Sequence, residues 1–85
     1  MAQVTIYTTM LCPYCSRAKR LLQEKGVAFE EIDVTMDPAA RQAMMARAGG
    51  RRTVPQIFVG AAHVGGSDEL YDLERAGKLD ALLAG

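Results

Sequence analysis

The chain has no tryptophan, one histidine, three prolines and only two cysteines in 85 residues. A structural zinc site needs four Cys or His ligands, and one copy offers three, so no metal is expected. Nor can the cysteines act as a useful staple: at positions 12 and 15 they would close a loop too small to remove much chain entropy. Charge of one sign is also missing. Ten basic and ten acidic residues cancel, so no net field recruits nucleic acid or a membrane. No charged leader followed by an apolar stretch opens the chain, and no apolar run could span a bilayer. The expectation is a cytoplasmic protein with reducible thiols. The length suits one domain, residues 1–85, and no repeat, linker or low-complexity segment divides it.

What the chain does have is Cys12-Pro13-Tyr14-Cys15 at the junction of two unlike stretches. Before it, Val4-Thr5-Ile6-Tyr7-Thr8 is β-branched and aromatic, the composition of a strand. After it, Ser16 to Lys25 is built of helix formers, with Ala18, Leu21 and Leu22 at helical spacing. Pro13 suits the first helical turn, where no N–H is needed. At a helix start the first N–H groups lack intrahelical partners and the dipole favours an anion. A thiolate at Cys12 is stabilised by both, with Arg17, Lys19 and Arg20 close in sequence. That environment makes a thiol nucleophilic, and C-x-x-C after a strand is a redox signature.

The pattern then alternates: a strand over about 3–9, a helix over about 13–25 closed by Gly26, and a strand over about 27–34 with Ile32 and Val34 on one face. A helix over about 38–48 follows, with Ala40, Met44 and Ala48 in one stripe. Strands at 56–59 and 62–64 are joined by Gly60-Ala61, the Gly-X form of a hairpin turn. A helical stretch over about 67–83 is broken at Gly77. A right-handed βαβ crossover pairs the first two strands in parallel and the hairpin adds an antiparallel pair. The expected fold is α/β, a four-stranded mixed sheet with helices on both faces, in a thioredoxin-like arrangement. The charges come in blocks: a basic first helix, an acidic patch at Glu30, Glu31, Asp33 and Asp37, a basic run at Arg41, Arg47, Arg51 and Arg52, and an acidic C-terminal segment. Met10, Met36, Met44 and Met45 read as core filler or surface, and His63 as structural or solvent-facing.

Two further stretches carry chemistry. Thr53-Val54-Pro55 immediately precedes a strand, a position that tolerates proline; most such bonds are trans. In Gly65-Gly66-Ser67-Asp68 the glycines let a backbone turn sharply and a ligand approach, and Ser67 or Asp68 can cap the helix that follows. Taken alone, this stretch reads first as a plain loop and cap.

Together, Cys12-Pro13-Tyr14-Cys15, Thr53-Val54-Pro55 and Gly65-Gly66-Ser67-Asp68, in this order and at these separations, resemble the dithiol glutaredoxins over nearly the whole chain. The resemblance implies a thioredoxin fold, a cis Val54–Pro55 bond and a glutathione-dependent thiol–disulfide oxidoreductase that maintains cell redox homeostasis. It implies that Cys12 attacks and Cys15 resolves. Glutathione, the co-substrate, would lie against Tyr14, with its cysteinyl unit paired to the Val54 backbone beside Thr53 and Pro55. Its γ-glutamyl carboxylate would meet N–H groups around Gly66, Ser67 and Asp68, its ammonium the Asp68 carboxylate, and its glycine carboxylate Arg51 or Arg52. Implied partners are glutathionylated or disulfide-containing proteins, with ribonucleotide reductase a candidate client, and the chain is expected to be a monomer.

One departure stands out. Glutaredoxins commonly carry a lysine three residues before the first cysteine, where this chain has Thr9. That shifts support for the thiolate onto the helix start and the arginines. Three other readings use the same residues: an electron donor reduced by thioredoxin reductase, a [2Fe–2S] carrier bridged by two Cys12 thiolates and two glutathiones, and a structural partner-binding module. The charges at Arg51, Arg52 and Asp68 argue against the first, bulky Tyr14 against the second, and the paired thiols against the third.

Overall fold

The computed structural model describes residues 2–85. The chain runs β1 (Val4–Thr8), α1 (Pro13–Glu24), β2 (Phe29–Asp33), α2 (Pro38–Arg47), β3 (Gln56–Val59), β4 (Ala62–Gly65), α3 (Ser67–Arg75) and α4 (Leu79–Ala84). The sheet order is β2-β1-β3-β4, with β1 parallel to β2 and antiparallel to β3, and β3 antiparallel to β4. The βαβ unit and hairpin expected from the sequence are therefore both present.

Side chains alternate across the two central strands, and each face takes its own helices. On one face Val4, Ile6, Ile57 and Val59 pack with Ala18, Leu21 and Leu22 of α1, Leu70 of α3, and Leu79 and Leu83 of α4. On the other, Tyr7 and Phe58 pack with Val34, and with Met44 of α2 and Ala48 at its end. Fully burying a Leu or Phe side chain is worth about 1.5–3 kcal/mol, so these two layers dominate the stability. All five residues of β1 are buried because strands flank it on both sides and helices cover both faces. The edge strand β2 instead exposes Glu30, Glu31 and Asp33, charges that discourage pairing with another chain.

The last helical stretch divides into α3 and α4. Gly77 has φ 71°, its N–H donates to the Glu74 carbonyl at 3.0 Å, and the Lys78 N–H donates to the Leu73 carbonyl at 2.9 Å. This paired closure needs a left-handed residue at that position, which glycine adopts without a Cβ penalty. The new direction lets Leu79 and Leu83 reach the core. Lys25, after α1, lies 2.6 Å from Glu74 and 2.9 Å from Asp80, tying the three helices together at their ends.

Candidate active site

The loop after β1 delivers Cys12 to the start of α1 as its N-cap, and the Cys15 N–H donates to Cys12 Sγ at 3.2 Å. One donor of the open helix end is thus aimed at the sulfur, as the strand-to-helix junction implied. The Cys12 thiol also faces the Val54 carbonyl at 3.9 Å. Both thiols are free; Cys12 is partly exposed, whereas Cys15 is 2% exposed. Burial, joined by the neighbouring Cys12 thiol, pushes the Cys15 thiol from 9.0 up to about 12, and a hydrogen bond with the Thr9 backbone offsets only part of that. Burial therefore keeps Cys15 in its protonated form at neutral pH, and Cys12 is the more accessible of the two thiols.

Two of the three cations of α1 are engaged elsewhere, and the third, Arg20, is exposed. Lys19 Nζ sits 3.0 Å from Glu31 on β2, and the Arg17 guanidinium lies 5.0 Å from the centre of the Tyr71 ring. No hydrogen bond joins either to Cys12, although the Lys19 charge acts on Cys15. Side-chain charge near Cys12 is thus thinner than the sequence suggested, and the helix terminus carries more of the task.

Beside the dithiol lies a cleft of about 390 Å³ lined by Tyr14, Arg51, Thr53, Val54, Pro55, Gly66, Ser67, Asp68 and Glu69. Every residue that the resemblance assigned to glutathione lines it except Arg52, which is exposed and whose carbonyl accepts from Arg41 Nη1 at 3.1 Å. The Val54–Pro55 bond is cis, as the resemblance implied. Gln56, fully buried, fastens this loop: its Nε2 donates to the Thr53 carbonyl at 2.9 Å and to Thr53 Oγ1 at 3.1 Å, and its Oε1 meets His63 Nε2 at 2.7 Å. His63 also stacks on Phe58 at 4.9 Å, so its role is structural.

The cap of α3 differs from expectation. Neither Ser67 nor Asp68 caps it; Gly66 is the N-cap and Glu69, at the third helical position, reaches back to accept from the Gly66 N–H at 2.7 Å. Glu69 also lies 3.2 Å from Arg51 Nη1. The sequence reading missed Glu69, although an acidic residue three positions beyond a cap is the mark of a capping box. The Gly66 N–H lowers the Glu69 pKa most, and Arg51 adds to the effect. With the Gly66 N–H occupied, the N–H groups of Ser67 and Asp68 are the donors left open at the helix start, without an intrahelical acceptor. The Ser67 hydroxyl, on a residue 4% exposed at the cleft wall, has no hydrogen-bond partner among the described residues.

Gly65 secures the corner. Its φ is +114°, and an added Cβ would lie 2.5 Å from Glu69 Oε1 and 3.0 Å from Arg51 Nη1. Gly65→Ala is expected to cost about 1–3 kcal/mol from backbone strain and to displace the Glu69–Arg51 pair, read as a drop in thermal midpoint.

Among the described residues there is no cluster of metal-ligating side chains, and no helix is long and apolar enough to cross a membrane. A thioredoxin-like sheet with a cysteine pair opening its first helix and a cis-proline loop beside it defines a class, the dithiol thiol–disulfide oxidoreductases. Known proteins narrow the class. The family model Glutaredoxin matches residues 4–64. The chain is similar to a glutaredoxin of Pseudomonas aeruginosa, 61% identical over 84 residues and covering 99% of each chain. To glutaredoxin 3 of Escherichia coli K12 it is 54% identical over 83 residues, covering 98% of this chain and 99% of that one. Its structure resembles that of the buckwheat glutaredoxin–glutathione complex with a TM-score of 0.87 at 31% identity, covering 98% of this chain and 77% of the other. The chain belongs to the glutaredoxin family, as a dithiol member of the Cys-Pro-Tyr-Cys type.

Proposed function

We propose that the protein is a glutathione-dependent oxidoreductase that reduces both glutathionylated proteins and protein disulfides through Cys12 and Cys15. The observation that carries this reading is the cleft at Val54, whose carbonyl faces Cys12 Sγ, with the open N–H groups of the α3 start and the Arg51 guanidinium in its walls. The buckwheat relative's complex with glutathione supports it. The γ-glutamyl carboxylate would take the N–H groups of Ser67 and Asp68 and the orphan Ser67 hydroxyl. The Asp68 carboxylate would hold the ammonium, the Thr53-Val54 backbone the cysteinyl unit, and Tyr14 would wall the groove. Arg51, inside the cleft, is the cation for the glycine carboxylate; Arg52 is not.

With a glutathionylated protein, the Cys12 thiolate attacks the glutathionyl sulfur. A Cys12–glutathione disulfide forms, the protein–sulfur bond breaks, and the electron pair leaves on the protein thiolate, which takes a proton from water. A second glutathione thiolate then attacks the glutathionyl sulfur on Cys12, producing oxidised glutathione and restoring the Cys12 thiolate. With a protein disulfide, Cys12 forms a mixed disulfide with the client while the client's other sulfur leaves as a thiolate. Cys15 loses its proton and attacks Cys12 Sγ, the client departs reduced, and two glutathiones reduce the Cys12–Cys15 disulfide.

Turnover of a simple glutathione mixed disulfide, coupled to glutathione reductase, tests the reading; no turnover overturns it. Asp68→Asn is expected to lower kcat/KM for glutathionylated substrate about tenfold or more, because a charge-assisted hydrogen bond contributes about 1.5–3 kcal/mol. Arg51→Gln should raise the KM for glutathione and flatten its dependence on ionic strength, whereas Arg52→Gln should do neither. Equal effects of the two arginine substitutions would refute the assignment of Arg51.

A further inference from the structure

Cys12 and Cys15 also border a second cleft, of about 580 Å³, on the side away from the cis-proline loop; Met10, Leu11, Lys19, Glu31 and Asp33 are among its other walls. The proposed reactions leave this cleft unused. Its rim is unusual. Leu11 is 98% exposed and is the one described non-glycine residue with positive φ, at 56°. A branched apolar side chain in that conformation costs free energy twice, through backbone strain and through exposure, and such outliers gather at functional sites. Met10 is 64% exposed, and its N–H donates to Thr35 Oγ1 at 2.8 Å. That contact ties the loop to Thr35, just after β2. Among the described residues the exposed large apolar side chains are Met10, Leu11, Tyr14 and Met36, and the first two line this cleft.

The charge in this cleft is unbalanced. Lys19 is paired with Glu31, which also accepts from Thr8 Oγ1 at 2.8 Å. Asp33 accepts from the Thr35 N–H at 2.8 Å and has no ion-pair partner among the described residues. One cation therefore faces two carboxylates, and Asp33, which feels the Lys19 charge without pairing to it, is exposed.

We propose that the second cleft docks the client polypeptide, and that it selects an extended segment with an apolar residue beside the reacting cysteine and a lysine or arginine within a few residues of it. This rests on the glutathione reading above: when the glutathionyl unit fills the first cleft, the rest of the substrate must lie outside it. The second cleft is the concavity that both cysteines share. An extended chain advances about 3.3–3.6 Å per residue, so the residues next to the reacting cysteine are the ones that meet walls bordering Cys12. Leu11 and Met10 would cover the client's apolar side chain, and Asp33 would meet its cation. Complementary charge also favours encounter and suppresses acidic segments.

The test compares three glutathione mixed disulfides: one with β-mercaptoethanol, one with a heptapeptide whose cysteine is flanked by leucines and then lysines, and one with a heptapeptide flanked by serines and then glutamates. For the wild-type chain, kcat/KM is expected to be about tenfold higher for the leucine–lysine peptide than for the serine–glutamate one, given burial of apolar side chains. Leu11→Asn combined with Met10→Gln should remove most of that preference. Asparagine is at ease in the left-handed conformation, so this variant keeps its fold. Asp33→Asn preserves an acceptor for the Thr35 N–H and should lower turnover of the lysine peptide about threefold, the size of an exposed ion pair. All variants should turn over the β-mercaptoethanol disulfide within about twofold of wild type, since it reaches neither rim nor Asp33. Equal rates on the two peptides, or variants that slow the small disulfide to the same degree, overturn the docking proposal alone. Failure of the wild-type chain on the small disulfide overturns both this proposal and the glutathione reading beneath it.

Discussion

Cys12→Ser is expected to abolish reduction of glutathione mixed disulfides and of protein disulfides alike, while Cys15→Ser keeps the first activity and loses most of the second. The asymmetry comes from position. Cys12 is the N-cap, partly exposed, with the Cys15 N–H directed at its sulfur. Cys15 lies one turn inside α1, and burial holds its thiol up at about 12. A second glutathione can resolve the Cys12–glutathione intermediate from solution, so Cys15 is dispensable there. A trapped protein client needs an internal thiol to release it. Alkylation of the reduced wild-type protein against pH, with mass mapping of the modified residue, measures the same difference. Cys12 should react first throughout the neutral range, and Cys15 should stay slow until the pH nears 12. The sign for stability follows. A thiol raised from 9.0 to about 12 on folding adds stability that is fully present below pH 9 and is lost as pH rises through the folded value. Modification of Cys15 before Cys12, or activity in Cys12→Ser, would reverse the assignment.

Phe58→Ala is expected to cost about 3–5 kcal/mol, a large part of the roughly 5–15 kcal/mol that holds a small domain folded. Phe58 is buried on β3, meets Tyr7 edge-on at 5.7 Å, stacks with His63 at 4.9 Å, and lies under the Arg47 guanidinium at 4.1 Å. Its removal leaves a cavity between the sheet and α2 that surrounding side chains fill only in part. It also frees His63, which braces Gln56 and through it the Thr53 backbone. Denaturant midpoints measure the first effect. The KM for glutathione, taken where the variant is still folded, should rise because the cleft wall is loosened. A loss below 1 kcal/mol would mean that the aromatic cluster adds little to the fold.

The amino-acid order alone determined what depends on neighbours in sequence. A β-branched strand running into a helix-forming stretch put the cysteine pair at a helix start. Gly60-Ala61 made the hairpin, and Gly77 divided the last helix, because a left-handed residue is needed where a helix turns back on its own carbonyls. The alternation of β1 and β3 and the α1 stripe assigned side chains to two opposite layers. Tertiary structure decided everything that depends on partners distant in the chain. Adjacent Arg51 and Arg52 are indistinguishable as letters, yet only Arg51 lines the cleft, because the loop turns one guanidinium toward Glu69, 18 positions on, and leaves the other outside. Lys19 stands in a basic helix beside the dithiol but is held by Glu31 on the neighbouring strand. Gly66 became the cap in place of Ser67 or Asp68, since Glu69 could reach its N–H once Gly65 had turned the backbone. Cys15 and Cys12 are the same residue type, and their chemical difference comes from burial: a charge that water would stabilise at the surface has little to replace that water in the interior.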